Sequence, residues 1–285
     1  MASGQPEQDN QQPEAPEVLY HYTDGAGLLG ILTSRNIWAT DVEFMSDAHE
    51  LAFVRTELRN WLYTTANRIL QDLQGGGGPE VLRARLLTLC ADNLDPTSPY
   101  RVFATCFSEA RDLLSQWRGY GSDVGYAIGI ESPALRGLRA SPDLDFRGLQ
   151  RVLYDLGEAK NVLLRVADEL AHVPLGHPGA HSDLSTRLIT LPLGATVKDA
   201  AFSEEREWRA ICIGSTTTLE NQRFRQTLLG PTPYIELPLP ESCIREVVVG
   251  PGAYSDVRRN GVRLLLDKAG WSEAVVSASV APLRM

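Results

Sequence analysis

Short β-forming runs recur at irregular intervals along this chain, and one long helix-forming block between Asp47 and Asn93 interrupts them. About eight strands and six helices in mixed order, without regular strand–helix–strand alternation, argue against a doubly wound parallel sheet and for an α+β fold. VLYHYT (Val18 to Thr23) alternates like a strand. Asp24 then stands where it can cap a short helix that puts Leu28, Leu29, Ile31 and Leu32 on one face. A strand over Ile37 to Thr40 should follow. Asp47 and Glu50 have the spacing of a capping box, before a helix that reaches about Leu73. Gly75 to Gly78 form a break, and Pro79 opens a second helix to Asn93. This pair, residues 47–93, reads as a helical insertion or side layer.

Beyond Arg101 the texture changes. RVFATCFS reads as a strand, DLLSQWRGYG as a short helix or turn, and VGYAIGIE as another strand. A helix near Glu158 to His172 precedes the loop HVPLGHPGAH, and another helix begins near Asp183. EREWRAICIG alternates cleanly, PYIEL and REVVVG are later strands, and a helix from Ser255 to Ala269 leads into a last strand, Ala274 to Val280. Residues 1–17 read as a disordered polar tail and 18–285 as one domain.

Composition narrows the function classes. The net charge of -9 opposes broad, phosphate-driven nucleic-acid binding, which needs a Lys/Arg surplus on some face. No run approaches the roughly 20 apolar residues of a bilayer span, and no signal or transit pattern opens the chain. A cytoplasmic protein is expected. Cys90, Cys106, Cys212 and Cys243 have no metal-ligand spacing, so they read as buried thiols in a reducing compartment and no metal is expected.

Three polar clusters could carry chemistry. If Glu205 to Ile213 is one strand, Glu205, Glu207 and Arg209 share a face while Arg206, Trp208 and Ala210 share the other. The plain reading is an exposed edge strand with cross-strand ion pairs; the sharper one is an E-x-E pair that orients or activates a substrate. His21 ends a strand just before a capped helix, with Thr23 on its face and Tyr22 on the opposite one. Either His21 serves the structure or it faces a ligand. In the third cluster Ser108 ends a strand, and Gln116, Trp117, Arg118 and Tyr120 crowd a turn that Gly119, Gly121 and Gly125 keep open. Trp117 and Tyr120 could stack a flat ring while Arg118 meets a phosphate, or Trp117 could simply be core. The turn at Gly250-Pro251-Gly252 could also cradle a phosphate.

The order LYHYT, WATDVEFMSDAHE, CFSE, QWRGYG, GYAIGI, KDAAFSEEREWR and VVVGP resembles the bacterial domain of unknown function family 2971. An H-x-T strand followed by an L-x-x-I-L helix, with a late acidic strand, is more distantly similar to the ADP-ribosyltransferase superfamily. That likeness implies a mixed, mainly antiparallel split sheet carrying the helical insertion. It also implies NAD as substrate: His21 and Thr23 touching it, Tyr120 or Trp117 stacking its nicotinamide, Glu207 as catalytic acid/base and Glu205 as the first carboxylate. Tyr22, Ser108, Arg118 and Arg209 are further candidate contacts. The expected function is an NAD-dependent ADP-ribosyltransferase or NAD glycohydrolase of the toxin or phage-defence kind, with an unspecified acceptor. The competing readings are a non-catalytic nucleotide-sensing or protein-binding module and, less favoured, a metal-dependent nuclease.

Overall fold

A computed structural model describes residues 14–73, 78–95, 97–120, 125–138, 142, 144–174, 181–215 and 220–282. In chain order the elements are β1 (Val18–Asp24), α1 (Gly25–Ser34), β2 (Asn36–Asp41), α2 (Ala48–Asp72), α3 (Pro79–Asn93), β3 (Tyr100–Ser108), α4 (Leu114–Tyr120), β4 (Gly125–Glu131), α5 (Ser132–Arg136) and β5 (Leu144–Arg151). There follow α6 (Leu156–Ala171), α7 (Asp183–Gly194), β6 (Glu207–Ser215), β7 (Arg223–Thr227), β8 (Gly230–Pro238), β9 (Ile244–Val249), α8 (Ser255–Ala269) and β10 (Val275–Ala278). The class is α+β, with a mixed, mostly antiparallel open sheet: β9 and β10 run parallel and the other strand pairs antiparallel. No described helix is long and apolar enough to cross a membrane.

The pivot is β3. Along one edge it pairs with β6 over its whole length, from Tyr100↔Ser215 to Ser108↔Glu207. The other edge is shared: β1 meets it at Ser108, and β2 meets it at Phe103 and Ala104. Between these contacts the sheet opens into two wings, β1-β4-β9-β10 and β2-β8-β7. Directly opposed residues in an antiparallel pair share a face, so Phe103, Phe107, Trp208, Ala210 and Cys212 enter the main apolar core. Val102, Ala104, Ile211 and Ile213 face the other way, against Leu51 and Leu191.

The helical side layer has its own apolar core, in which Leu58 and Leu62 of α2, Leu87 of α3 and Leu163 of α6 interlock. Burying each of these leucines contributes about 1.5–3 kcal/mol. α2 and α3 therefore pack with α6 and α7, a layer that Val42, Leu51 and Leu191 anchor to the sheet.

Several local expectations change. Asp47 precedes α2 but makes no capping hydrogen bond with its side chain, whereas Asp24 accepts from the Gly27 amide at 2.7 Å and does cap α1. The strand expected from Glu205 begins at Glu207: residues 200–205 form a 3-10 turn, and Arg206 adopts the left-handed φ of 43° that redirects the chain. β6 lies between β3 and β5 and is buried, so the exposed-edge reading of EREWR does not hold. Residues 14–17 of the expected tail are described, and there Ala15 is buried while Ser132 Oγ donates to the Pro16 carbonyl; residues 1–13 lie outside the described part. So do most of the Gly75 to Gly78 break, most of the HVPLGHPGAH loop, and Gly121.

Candidate functional site

Where β1 and β2 part along β3, a cavity of about 670 Å³ opens, lined by β1, β2, β3, α1, α4, β7 and the start of β6. That size suits a drug-sized or nucleotide ligand. His21 holds the wall together: its Nδ1 lies 2.9 Å from the Cys106 carbonyl, one of the β3 groups left between the two wings. A carbonyl only accepts, so Nδ1 carries the proton and Nε2 is the lone-pair nitrogen. Burial holds the imidazole below its ordinary 6.5, with the Cys106 hydrogen bond opposing and the Arg225 cation reinforcing the shift. His21 is thus neutral at pH 7, and Nε2 is an acceptor.

The acidic end of the cavity is a buried ionic network. Ser108 and Cys106 share a face with Glu207 and Arg209, their β6 partners. Arg209, 1% exposed at its side chain, donates from Nε to Glu207 Oε1 at 2.7 Å and from Nη2 to Glu207 Oε2 at 3.1 Å. Its Nη2 also reaches Asp47 Oδ2 at 2.5 Å, and Nη1 reaches the Ala195 carbonyl at 2.8 Å. Lys198 Nζ lies 2.7 Å from Glu205 Oε2, 3.4 Å from Glu207 Oε2 and 4.0 Å from Asp47 Oδ2. Burial pushes the Glu207 carboxyl up, but Arg209 and then Lys198 outweigh it and hold the pKa at about 2. Glu205 is shifted upward instead: partial burial raises it, and the Glu207 charge adds to that, against the pull of Lys198. Two neighbouring carboxylates therefore differ: Glu207 is a permanent anion at neutral pH, and Glu205 is the one better able to take a proton. The general-acid part of the role expected for Glu207 does not fit its ionisation.

Other candidates sort by what their polar atoms already do. His21, Thr23, Ser108, Tyr120, Glu205 and Glu207 all line the cavity. The Ser108 hydroxyl donates to the Glu205 carbonyl at 2.6 Å and accepts from the Ala110 amide, which pins the Glu205 turn beside β3. Tyr120 is 43% exposed as a residue, but its hydroxyl sits in desolvated surroundings that, with Cys106 and Glu207, push its pKa upward, so it stays a neutral donor at their end of the cavity. Tyr22 touches the cavity, but its hydroxyl donates to the Ala110 carbonyl and accepts from the Leu113 amide, and its ring meets Trp117 edge-on at 4.8 Å. Trp117 is 3% exposed, donates to Asp112 at 2.6 Å and lies outside the cavity lining. It is core, and of the two aromatics named for stacking only Tyr120 lines the cavity. Arg118 is exposed and Arg209 is locked in the ionic network, so neither lines the cavity. Gly250 gives its amide to the Gly125 carbonyl at 2.9 Å and packs against Trp117, so that amide is not open to a phosphate, and the turn lies outside the cavity lining.

The structure adds residues absent from the sequence-derived set. Lys198 completes the ionic network, and Asp47, read as a cap, belongs to it. Tyr154 accepts from the Glu207 amide at 2.9 Å and fixes the start of β6. Trp38 and Arg225, from β2 and β7, line the opposite end. A basic residue before an acidic turn was the one available signal for Lys198. Nothing local distinguishes Arg225 in the sequence from an ordinary edge-strand arginine. Among the described residues no three His, Cys, Asp or Glu side chains are grouped as metal ligands.

Residues 116–210 match the family of proteins of unknown function DUF2971. The matched segment runs from α4 into β6, and so takes in Tyr120, Lys198, Glu205, Glu207 and Arg209. The match supports the DUF2971 resemblance read from the sequence, while His21 and Arg225 lie outside the matched segment. No curated protein and no solved structure matches the chain.

Proposed function

We propose that the cleft binds NAD and breaks its nicotinamide glycosidic bond, making the protein an ADP-ribosyltransferase or NAD glycohydrolase. One observation carries this reading: His21, Thr23, Tyr120, Glu205 and Glu207, drawn from distant parts of the sequence, line a single cavity. In the proposed reaction the bond from C1′ to the nicotinamide nitrogen breaks, and its electron pair leaves with nicotinamide. Positive charge builds on the ribose, and an anion at the Glu207 end favours that charge. The neutral His21 Nε2 accepts a ribose hydroxyl, Tyr120 covers the nicotinamide ring, and Glu205 takes the proton of the water or acceptor hydroxyl that attacks C1′.

A second reading, a non-catalytic nucleotide-sensing module, draws on the Arg209 and Lys198 contacts that already occupy both oxygens of Glu207. Chromatographic measurement of nicotinamide release separates the two. The enzyme reading expects release by the wild type and a loss of about 100-fold or more in Glu207→Gln, with the circular dichroism spectrum unchanged. Saturable NAD binding without product favours the sensor. Neither binding nor NAD consumption, with any protein or nucleic-acid acceptor, rules the enzyme out.

A further inference from the structure

Across the cavity from Glu207, the Arg225 guanidinium makes no ion pair among the described residues. Arg225 lies on the edge strand β7, opposite Thr232 of β8, and its side chain reaches across β8 to β2. There Nη2 donates to Thr40 Oγ1 at 2.9 Å, and Cζ sits 5.3 Å from the centre of the Trp38 ring. Trp38 is itself braced by Tyr234, with ring centroids 4.5 Å apart. Among the described residues no carboxylate lies within ion-pair distance of Arg225; Asp24, which also lines the cavity, acts on it only from farther off, and the Arg225 Nε is buried with no hydrogen-bond partner. Arg223, two residues away on the same strand, pairs with Glu236 at 3.3 Å. Arg209, buried behind Glu207 and outside the cavity lining, holds two carboxylates.

A partly desolvated guanidinium without an anion costs free energy, and burial duly pulls Arg225 below its ordinary range. The chain tolerates this at a point where the fork, its stem already held by Thr40 and Trp38, faces a cavity. The planar arrangement of donors suits a tetrahedral oxyanion, and the aromatic ring behind it fixes the plane of the fork. We propose that Arg225 is the phosphate-recognition residue of the cleft, binding the diphosphate of a nucleotide whose other end reaches Glu207. The proposal rests on the nucleotide reading of the cleft given above. It orients the ligand: phosphates toward β2 and β7, reacting ribose toward β1 and β6. The cavity then has a cation at one end and an ionised carboxylate at the other, a polarity that suits a molecule negative at its centre and developing positive charge at one sugar.

Calorimetric titration of ADP-ribose and of adenosine into the wild type, Arg225→Gln and Arg225→Lys tests this. Loss of a charge-assisted phosphate contact weakens ADP-ribose binding about 10- to 100-fold in Arg225→Gln. Arg225→Lys keeps the charge but not the fork, and should lie between the two. Adenosine, which has no phosphate, should bind all three proteins alike. The melting temperature of free Arg225→Gln should be no lower than that of the wild type, because an unpaired cation is being removed. The inference alone falls if the wild type binds ADP-ribose and Arg225→Gln binds it equally well, or loses adenosine in the same proportion, or melts several degrees lower with binding unchanged. If the wild type binds neither ADP-ribose nor NAD, the nucleotide reading fails and takes this one with it.

Discussion

Replacing Arg209 with methionine keeps much of the side-chain volume and removes the charge that the ionic network is built around. The guanidinium makes two hydrogen bonds to Glu207 and one each to Asp47 and the Ala195 carbonyl, all in the buried interior. Its worth can be read from Glu207, which titrates at about 2 instead of 4.5 chiefly because Arg209, and secondarily Lys198, overcomes the cost of burial. At about 1.4 kcal/mol per pH unit, that separation corresponds to about 3 kcal/mol at neutral pH. The sign follows from a depressed folded-state pKa. The contribution is complete above the unfolded value of 4.5 and disappears as pH falls toward about 2. Removing one member of a buried pair costs about 3–5 kcal/mol in general, which agrees. Urea denaturation at pH 7 should therefore place Arg209→Met about 3–5 kcal/mol below the wild type. Repeating it near pH 4 should narrow the gap, since Glu207 can then protonate in the variant while the wild type begins to lose its own advantage. A deficit under about 1 kcal/mol at pH 7, or one that does not change with pH, would refute the reasoning.

Other outcomes follow from single positions. A Cβ on Gly250 would lie 2.8 Å from the Gly125 carbonyl oxygen and 2.9 Å from the Trp117 ring, so Gly250→Ala should lose about 1–3 kcal/mol in chemical denaturation; NAD affinity within twofold of the wild type would agree with its place outside the cleft, and a selective loss of affinity at unchanged stability would restore the phosphate-cradle reading. Because burial holds His21 below 6.5, the unfolded chain binds its proton first, and stability should fall as pH drops below 6.5. His21→Gln should show a shallower decline between pH 7.5 and 5.5 in the same assay, and an identical slope would place the imidazole in solvent.

The strands and helices with strong periodicity were legible in the sequence. Asp24 capping, the long helix from residue 48, the helix over Ser255–Ala269 and the alternation of Glu207 and Arg209 against Trp208 and Ala210 all appear in the fold. β5 and β7 were not legible. LDFRGLQR carries two arginines and a bulge at Gly148, where φ is 83°, and RFRQT is an edge strand with little apolar signal. Site residues were found where a carboxylate or histidine stood out locally. They were missed where the role depends on tertiary partners: Asp47 looks like a cap until Arg209 is placed beside it, and Trp117 looks like a stacking residue until Asp112 and Tyr22 enclose it. Arg225 becomes informative only through its place in the cavity wall, with no ion pair among the described residues, which no local pattern reveals.

The opening between β1 and β2 is proposed above to be an NAD site spanning His21 and Glu207. Calorimetric titration of NAD into the wild type, and into a His21→Ala variant of unchanged melting temperature, tests it most directly. The expected result is one saturable site per chain in the wild type and at least tenfold weaker binding in His21→Ala. The absence of heat and of saturation in the wild type, or equal affinity in the two proteins, would contradict it.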